Sequence, residues 1–537
     1  MPPESTLSPV MTADQALHEA NALLQAGNAG QAETLYQTIL LAEPRHPDAN
    51  HNLGVLHVRC GRMEEGLPFL KAALEADEKV EAYWLDYIEV LIRCDRLLDA
   101  RTTLTSGRYM GLTGEGVEAL EARLVQAEDP GLPEEHAIHE VNRRIAEFQG
   151  ERLTARGIPI TARVETPARL VIGLLGPDLD FTAATPHEAP LGGSESCLCH
   201  LGEALARLGH EVHLFSKTSR PGRYRGVACH NILATADHPV ARLDVAVTLN
   251  IHAEWQERIT PAGRPGMKRV AYLQHDIDQP TVQILRNARF RDLWDGFAMI
   301  SDWSAHRYVT AFKLPVSRMF VAGNAMGPAF EGLFAPGQAI LPQKSAHPVL
   351  IYASTPFRGL DVLLEAFPLI REAVPDVTLK IFSSMKVYQQ QDGNAYRDLY
   401  DRALRMAGVE YIGSVSQTRL AEEMRKATML AYPNTFPETY CITMMEALAA
   451  GCLVVTSNLG ALPEVGAGHV LFGNVPSDPR EHARRFAKRV IHVLQNLVAH
   501  PDVFEASLRA QVSAVEKHTW SHRARAWERW LFGMMNA

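Results

Sequence analysis

Apolar positions along this chain change their period twice. Over the first hundred residues they recur at helical spacing inside a longer period of 34 residues. Gly27, Gly61 and Asp95 fall at equivalent turns, and Ala32, Gly66 and Ala100 share one small-residue position. Tyr36, Leu70 and Leu104 share a large one, Ala20, Gly54 and Ile88 a third, and Pro44 marks a handover between copies. A two-helix unit of this size cannot bury its apolar face alone, so the copies are predicted to stack into a solenoid with a concave surface. Helical texture with interleaved charges continues from 114 to about 157, with 140–148 as an amphipathic example. After Ala168 the texture becomes continuous apolar runs ending in glycine or polar residues, the mark of buried parallel strands. Strands are predicted at 170–176, 210–216, 245–249, 269–273 and 296–300, with a helix over 197–208 behind a Gly192-Gly193 loop. A second set follows: strands at 349–353, 377–382 and 429–432, a helix over 360–373, and a buried strand at 453–456. A Trp- and Arg-rich amphipathic helix over 520–535 closes the chain.

Strand, glycine loop, helix, strand is the order of a Rossmann-like unit. The expected organisation is therefore helical repeats over 1–112 and a helical connector or cap over 113–167. A first Rossmann-like domain over 168–340 and a second over 341–519 face each other across a cleft, and 520–537 packs back across them.

Composition narrows the class. With 537 residues, 46% hydrophobic and 21% charged, the chain has room for roughly three globular domains. A net charge of −9 and the lack of a Lys/Arg-rich arm argue against nucleic acid as a partner. No charged and apolar leader opens the sequence, and no run of about 18 apolar residues would span a bilayer, which leaves peripheral membrane contact open. The seven cysteines are scattered, fitting a reducing compartment and a cytoplasmic protein. Cys197-Leu198-Cys199-His200 invites a metal reading, but neighbours on a helix point to different faces, so small buried side chains are the expectation.

The chemistry concentrates in 433–451. Glu438 lies in a Pro-rich polar turn, and Glu446 lies in an apolar helical run ending at Gly451. A carboxylate among apolar residues needs a reason, because burying it unpaired is costly. Eight residues of helix would set the two acids roughly 12 Å apart, the reach of a nucleotide-sugar from hexose to ribose, with its diphosphate near a helix N-terminus.

The first hundred residues resemble the tetratricopeptide repeat. From about Ala168 onward, four motifs in order resemble the retaining glycosyltransferases of family 4, which have the two-domain α/β fold called GT-B. These are Gly192-Gly193-Ser194-Glu195, Gln274-His275-Asp276, the run from Phe357-Arg358-Gly359 to Phe367, and the Glu-x7-Glu pair Glu438 and Glu446, continued by Gly460-Ala461-Leu462-Pro463-Glu464. The resemblance implies that Glu438 binds hexose hydroxyls, Glu446 the ribose hydroxyls, and Arg358 the donor diphosphate, with His275 near the reacting sugar. Gly192, Gly193 and Ser194 would let the donor approach the backbone, and Thr439, Tyr440 and Cys441 would offer it amides. Catalytic roles then fall to His275, Glu438 and Arg358. Two departures stand out. The family commonly places a second basic residue about five positions before Arg358, where this chain has Ala353, and it has glycines where this chain has Thr439-Tyr440-Cys441.

These features imply a hexosyltransferase that moves a sugar from a nucleotide-sugar to an acceptor hydroxyl with retention. Asp276-Ile277-Asp278 resembles a metal-nucleotide motif of a different glycosyltransferase fold, so no metal or other cofactor is expected. The repeats suggest a polypeptide acceptor or partner, and equally fit docking onto a cell-envelope or polysaccharide assembly, so the acceptor is expected to be a protein, a glycan or a cell-envelope precursor. Alternatives are a repeat scaffold whose transferase half is degenerate, and a glycosidase using Glu438 and Glu446.

Overall fold

The computed structural model describes residues 12–128, 169–234, 239–251, 263–389 and 394–536. It divides into two compact units, 1–134 and 135–537.

Among its described residues the first unit is built of helices. Six helices run from Ala13–Gln25 to Leu97–Tyr109, and a seventh covers Glu115–Glu128. The period explains their packing. Gly27, Gly61 and Asp95 all take left-handed backbone at φ 83, 79 and 57°, so each hairpin turns at the same repeat position. Between Pro47–Arg59 and Met63–Ala76 the small positions meet, and a Cβ on Gly66 would lie 2.8 Å from the Gly54 carbonyl. The large positions Tyr36, Leu70 and Leu104 fill the core beside them. Ile88, where a small residue recurs in the other copies, is fully buried. The amphipathic stretch 140–148 lies outside the described residues.

The second unit holds two sheets. The first has eight strands: β1 (Val171–Gly176), β2 (Glu211–Ser216), β3 (Gly222–Tyr224), β4 (Val227–Asn231), β5 (Val245–Leu249), β6 (Lys268–Leu273), β7 (Gly296–Met299) and β8 (Met319–Val321). Their order is β3-β4-β2-β1-β5-β6-β7-β8, parallel throughout except for the β3–β4 hairpin. The second sheet has β9 (Val349–Tyr352), β10 (Thr378–Ile381), β11 (Val409–Tyr411), β12 (Met429–Tyr432), β13 (Leu453–Ser457) and β14 (Leu471–Gly473). Its order, β11-β10-β9-β12-β13-β14, is wholly parallel.

Strands buried on both faces need continuous apolar sequence, and β5, β7, β12 and β13 are buried at every residue. The short edge strands β3, β8, β11 and β14 give too little period to stand out from loops. The chain order reverses between β1 and β5 and again between β9 and β12, and such switch points open a crevice at the carboxyl ends of the strands. The C-terminal helix Trp520–Met535 packs against the first sheet. A Cβ on Gly296 of β7 would strike Met534 and Trp530, and Trp527 meets Tyr272 of β6 edge-on at 5.1 Å.

A donor cleft between two parallel sheets

A cleft of about 620 Å³ opens between the carboxyl ends of the two sheets. Gly192, Gly193, Ser194, His275, Arg358, Glu438, Thr439, Tyr440, Cys441 and Glu446 all line it. They reach it from the loops and helix starts that follow β1, β6, β9 and β12.

Glu438 lies in the turn after β12, buried at 3% exposure. Arg358 Nη1 stands 3.0 Å from its Oε1, and Tyr432 donates its hydroxyl to the same oxygen at 2.5 Å. Ser354 Oγ lies 3.4 Å from that hydroxyl. The Arg358 guanidinium sits near Phe357 and Phe436, 5.5 and 5.2 Å from their ring centres. Burial works against its charge, yet the Glu438 carboxylate raises its pKa above the ordinary arginine value. Among the described residues lining the cleft, Arg358 is the only arginine or lysine, and Ala353 lines it without charge as the sequence indicated.

Glu446 is on the helix Ile442–Ala449, also 3% exposed. Its Oε1 accepts from the Gly327 amide at 3.1 Å and from Gln417 Nε2 at 3.5 Å. Burial pushes its pKa to about 8, with the Gly327 amide opposing. The expected 12 Å of helix between the two acids is corrected here. Glu438 precedes the helix, so the rise of Ile442–Glu446 alone is helical and the spacing comes from the turn.

That turn is bound to the first sheet. Thr439 Oγ1 donates to the Gln274 carbonyl at 2.9 Å, and Tyr440 donates its hydroxyl to the Asn324 carbonyl at 3.0 Å. Cys441 takes φ 73°, the conformation for which glycine is the usual choice. Its thiol is pushed up by burial first and by Glu438 next. Gly460 explains why the turn keeps its place: a Cβ there would collide with the Glu438 backbone, and Ala461 N donates to the Glu438 carbonyl at 2.8 Å.

On the opposite wall, His275 follows β6. Its amide donates to Asn250 Oδ1 at 3.0 Å, its Nδ1 pairs with Thr281 Oγ1 at 2.8 Å, and its carbonyl accepts from Tyr308. Asp276 is held by Arg307 through two bonds of 2.8 and 2.9 Å, whereas Asp278 is exposed. Asp278 accepts from Gln279 Nε2 at 3.1 Å. The helix after the glycine loop, Gly193–Arg207, starts four residues earlier than its apolar pattern indicated. Gly193 and Ser194 thus belong to its first turn. Glu195 folds back on Gly192, with its pKa raised by burial and by Asp178.

Several residues in or behind the cleft wall had no sequence signal. Tyr432 ends a strand and reads as core, and Asn324 lies in a featureless loop. Arg523 joins Asn324, Tyr440 and His518 from the C-terminal helix. Glu464 was visible as part of a motif, but not its role. It accepts from the amides of Asp302 and Trp303 at 3.0 and 3.2 Å, tying the second sheet's domain to the helix Asp302–Phe312.

Comparison with known proteins meets this geometry. Residues 347–496 match the family model "Glycosyl transferases group 1", and residues 23–85 match "Tetratricopeptide repeat". The chain carries a group 1 glycosyltransferase domain and a tetratricopeptide repeat. A phosphatidyl-myo-inositol mannosyltransferase of Mycobacterium tuberculosis is 34% identical over 172 residues, 31% of this chain and 41% of the relative. The match thus spans about two fifths of that relative's length. A D-inositol 3-phosphate glycosyltransferase of Streptomyces avermitilis is 22% identical over 459 residues, covering 74% of this chain and 95% of the relative. A glycosyltransferase of Rickettsia africae superposes on 68% of this chain and 99% of its own at TM-score 0.50 and 13% identity. The group 1 domain contains Arg358, Glu438 and Glu446, and the paired sheets have the GT-B fold.

Proposed function

We propose that the protein transfers a hexose from a nucleotide-sugar to an acceptor hydroxyl with retention of anomeric configuration. The observation that carries this reading is the convergence of Arg358, Glu438 and Glu446 with His275 in one cleft at two switch points. The similarity to mannosyl- and inositol glycosyltransferases supports it.

In this reading Glu446 holds the ribose hydroxyls and Arg358 meets the diphosphate. The charge that grows on the leaving group is stabilised by Arg358 and by amides at Thr439–Cys441, a contribution that needs no reorganisation during reaction. Arg358 is engaged by Glu438 in the free chain, so donor binding reorganises that pair: the arginine turns toward phosphate and the carboxylate toward hexose hydroxyls. His275 is oriented through Nδ1 by Thr281 and faces the sugar from the other wall. The departing diphosphate receives the acceptor proton, so catalysis consists mostly of positioning and charge stabilisation. The step is proposed as metal-independent, with Asp276 staying paired with Arg307. We further propose that the repeats recruit a polypeptide, as acceptor or as partner.

The test is a donor screen. Nucleotide-sugars are supplied in turn, released nucleoside diphosphate is measured, and mass spectrometry finds the molecule that gains mass. Release coupled to a hexose gain with retained configuration is expected. Binding without transfer by any donor would favour the scaffold reading, and hydrolysis of glycosides without nucleotide would favour the glycosidase.

A further inference from the structure

The rejected Cys197-Leu198-Cys199-His200 motif contains one residue with an unanswered requirement. The two cysteines are satisfied as small buried groups, Cys199 Sγ donating to the Thr182 carbonyl at 3.5 Å. His200 is 3% exposed, and neither ring nitrogen reaches a hydrogen-bond partner. The Gln417 amide approaches the ring without meeting hydrogen-bond geometry. A buried imidazole with both nitrogens unmatched is costly.

His200 and Glu203 stand three apart on the helix Gly193–Arg207, on one face. His187 comes to them from the short helix Thr185–Glu188. His187 Nε2 lies 2.7 Å from Glu203 Oε1, and His200 Nδ1 lies 3.9 Å from the same oxygen. One ligand atom from each of the three residues falls within 4.8 Å of the other two. Metal–nitrogen and metal–oxygen bonds of about 2.0–2.2 Å in a tetrahedral zinc site put neighbouring ligand atoms roughly 3.3–3.5 Å apart. The observed separations bracket that figure, so a small opening of the His187–Glu203 contact accommodates an ion.

We propose that His187, His200 and Glu203 bind one divalent transition-metal ion, with zinc as the first choice. Two imidazoles and a carboxylate oxygen suit zinc and its Irving–Williams neighbours and not magnesium or calcium. The positive charge of Arg225 does not displace the ion. It holds the other oxygen, Glu203 Oε2, at 2.8 Å, which turns Oε1 toward the histidines as outer-shell partners of ligating carboxylates do. Arg225 itself is fixed in the two-residue turn between β3 and β4, where Arg225 and Gly226 take φ 51 and 87°. His187 has a side chain 25% exposed, which gives the ion a way in, and water completes the coordination. His200 itself lines the cleft, so the ion sits behind the cleft wall. It pins Pro186, a cleft residue, to the helix whose first turn carries Gly193 and Ser194.

The test uses the full chain, stripped with chelator and titrated with zinc chloride against a competing zinc indicator, beside His187→Ala and His200→Gln. One equivalent is expected on the unmodified chain, with a rise in Tm of roughly 2–5 °C. Affinity should fall at least about 100-fold in both variants, and cobalt should give the intense visible bands of a low-coordinate site. An unmodified chain that takes up no zinc overturns the proposal. So does uptake that survives in His187→Ala, since the other histidines would then be the ligands. His187→Ala decides the matter if His200→Gln fails to fold, because His187 is partly exposed.

Discussion

Glu446 combines two demands that conflict in water: full burial and the ability to accept hydrogen bonds. Its pKa rises from 4.5 to about 8. Between those values the folded chain keeps a proton that the unfolded chain has released, so stability falls as pH rises across that window. A ribose hydroxyl that donates to the carboxylate favours the charged form, so donor binding should release a proton near pH 7. Calorimetry in buffers of different ionisation enthalpy measures this directly. Glu446→Gln should remove the proton release, flatten the pH dependence of unfolding, and weaken donor binding by roughly 10- to 100-fold, the range for a hydrogen bond to a charged group. Equal proton release in wild type and variant would show that another group titrates. At this scale the sequence disclosed the two buried acids and the arginine of the cleft, because an acid in an apolar run and an arginine at a helix start are conspicuous. Tyr432 and Asn324 stayed hidden, since a buried hydroxyl or amide resembles any core residue until its partner is known.

The elements that hold the cleft together are joined by caps. Glu464, from the short helix Leu462–Gly466, supplies the orphan amides at the start of Asp302–Phe312. Its own pKa is pushed by burial to about 7, with Asp302 adding to the rise. Thr439 and Tyr440 make parallel ties to Gln274 and Asn324. Glu464→Ala should cost about 1–2 kcal/mol in denaturant unfolding, the usual loss for a removed cap, with faster amide exchange at Asp302 and Trp303. Unchanged exchange there would mean that the cap does not hold the two domains. Strand positions were legible wherever burial on both faces produced continuous apolar runs, as in β5 and β12. The start of Gly193–Arg207 was not, because glycine and serine in a first turn carry a loop's composition. The helical estimate of the Glu438–Glu446 spacing failed for the same reason: a polar turn ahead of a helix has no periodicity to show where the helix begins.

For the whole molecule, a repeat unit and a two-sheet GT-B unit share one chain, and the 34-residue period announced the first while ordered motifs announced the second. On the proposal that the repeats recruit a polypeptide acceptor, removing residues 1–112 should leave transfer to a small acceptor intact and reduce modification of such a polypeptide at least about tenfold, as loss of a tethered second contact does. Equal rates on both acceptors would assign the repeats some other task. Everything else depends on whether the cleft receives a nucleotide-sugar. The most direct measurement is an equilibrium titration of nucleotide-sugars against the unmodified chain and Arg358→Ala. At least one nucleotide-sugar should bind the unmodified chain, and binding should weaken by roughly 10- to 100-fold without the charge-assisted contact to its diphosphate. Failure of every nucleotide-sugar to bind, or equal binding to both proteins, would contradict the account.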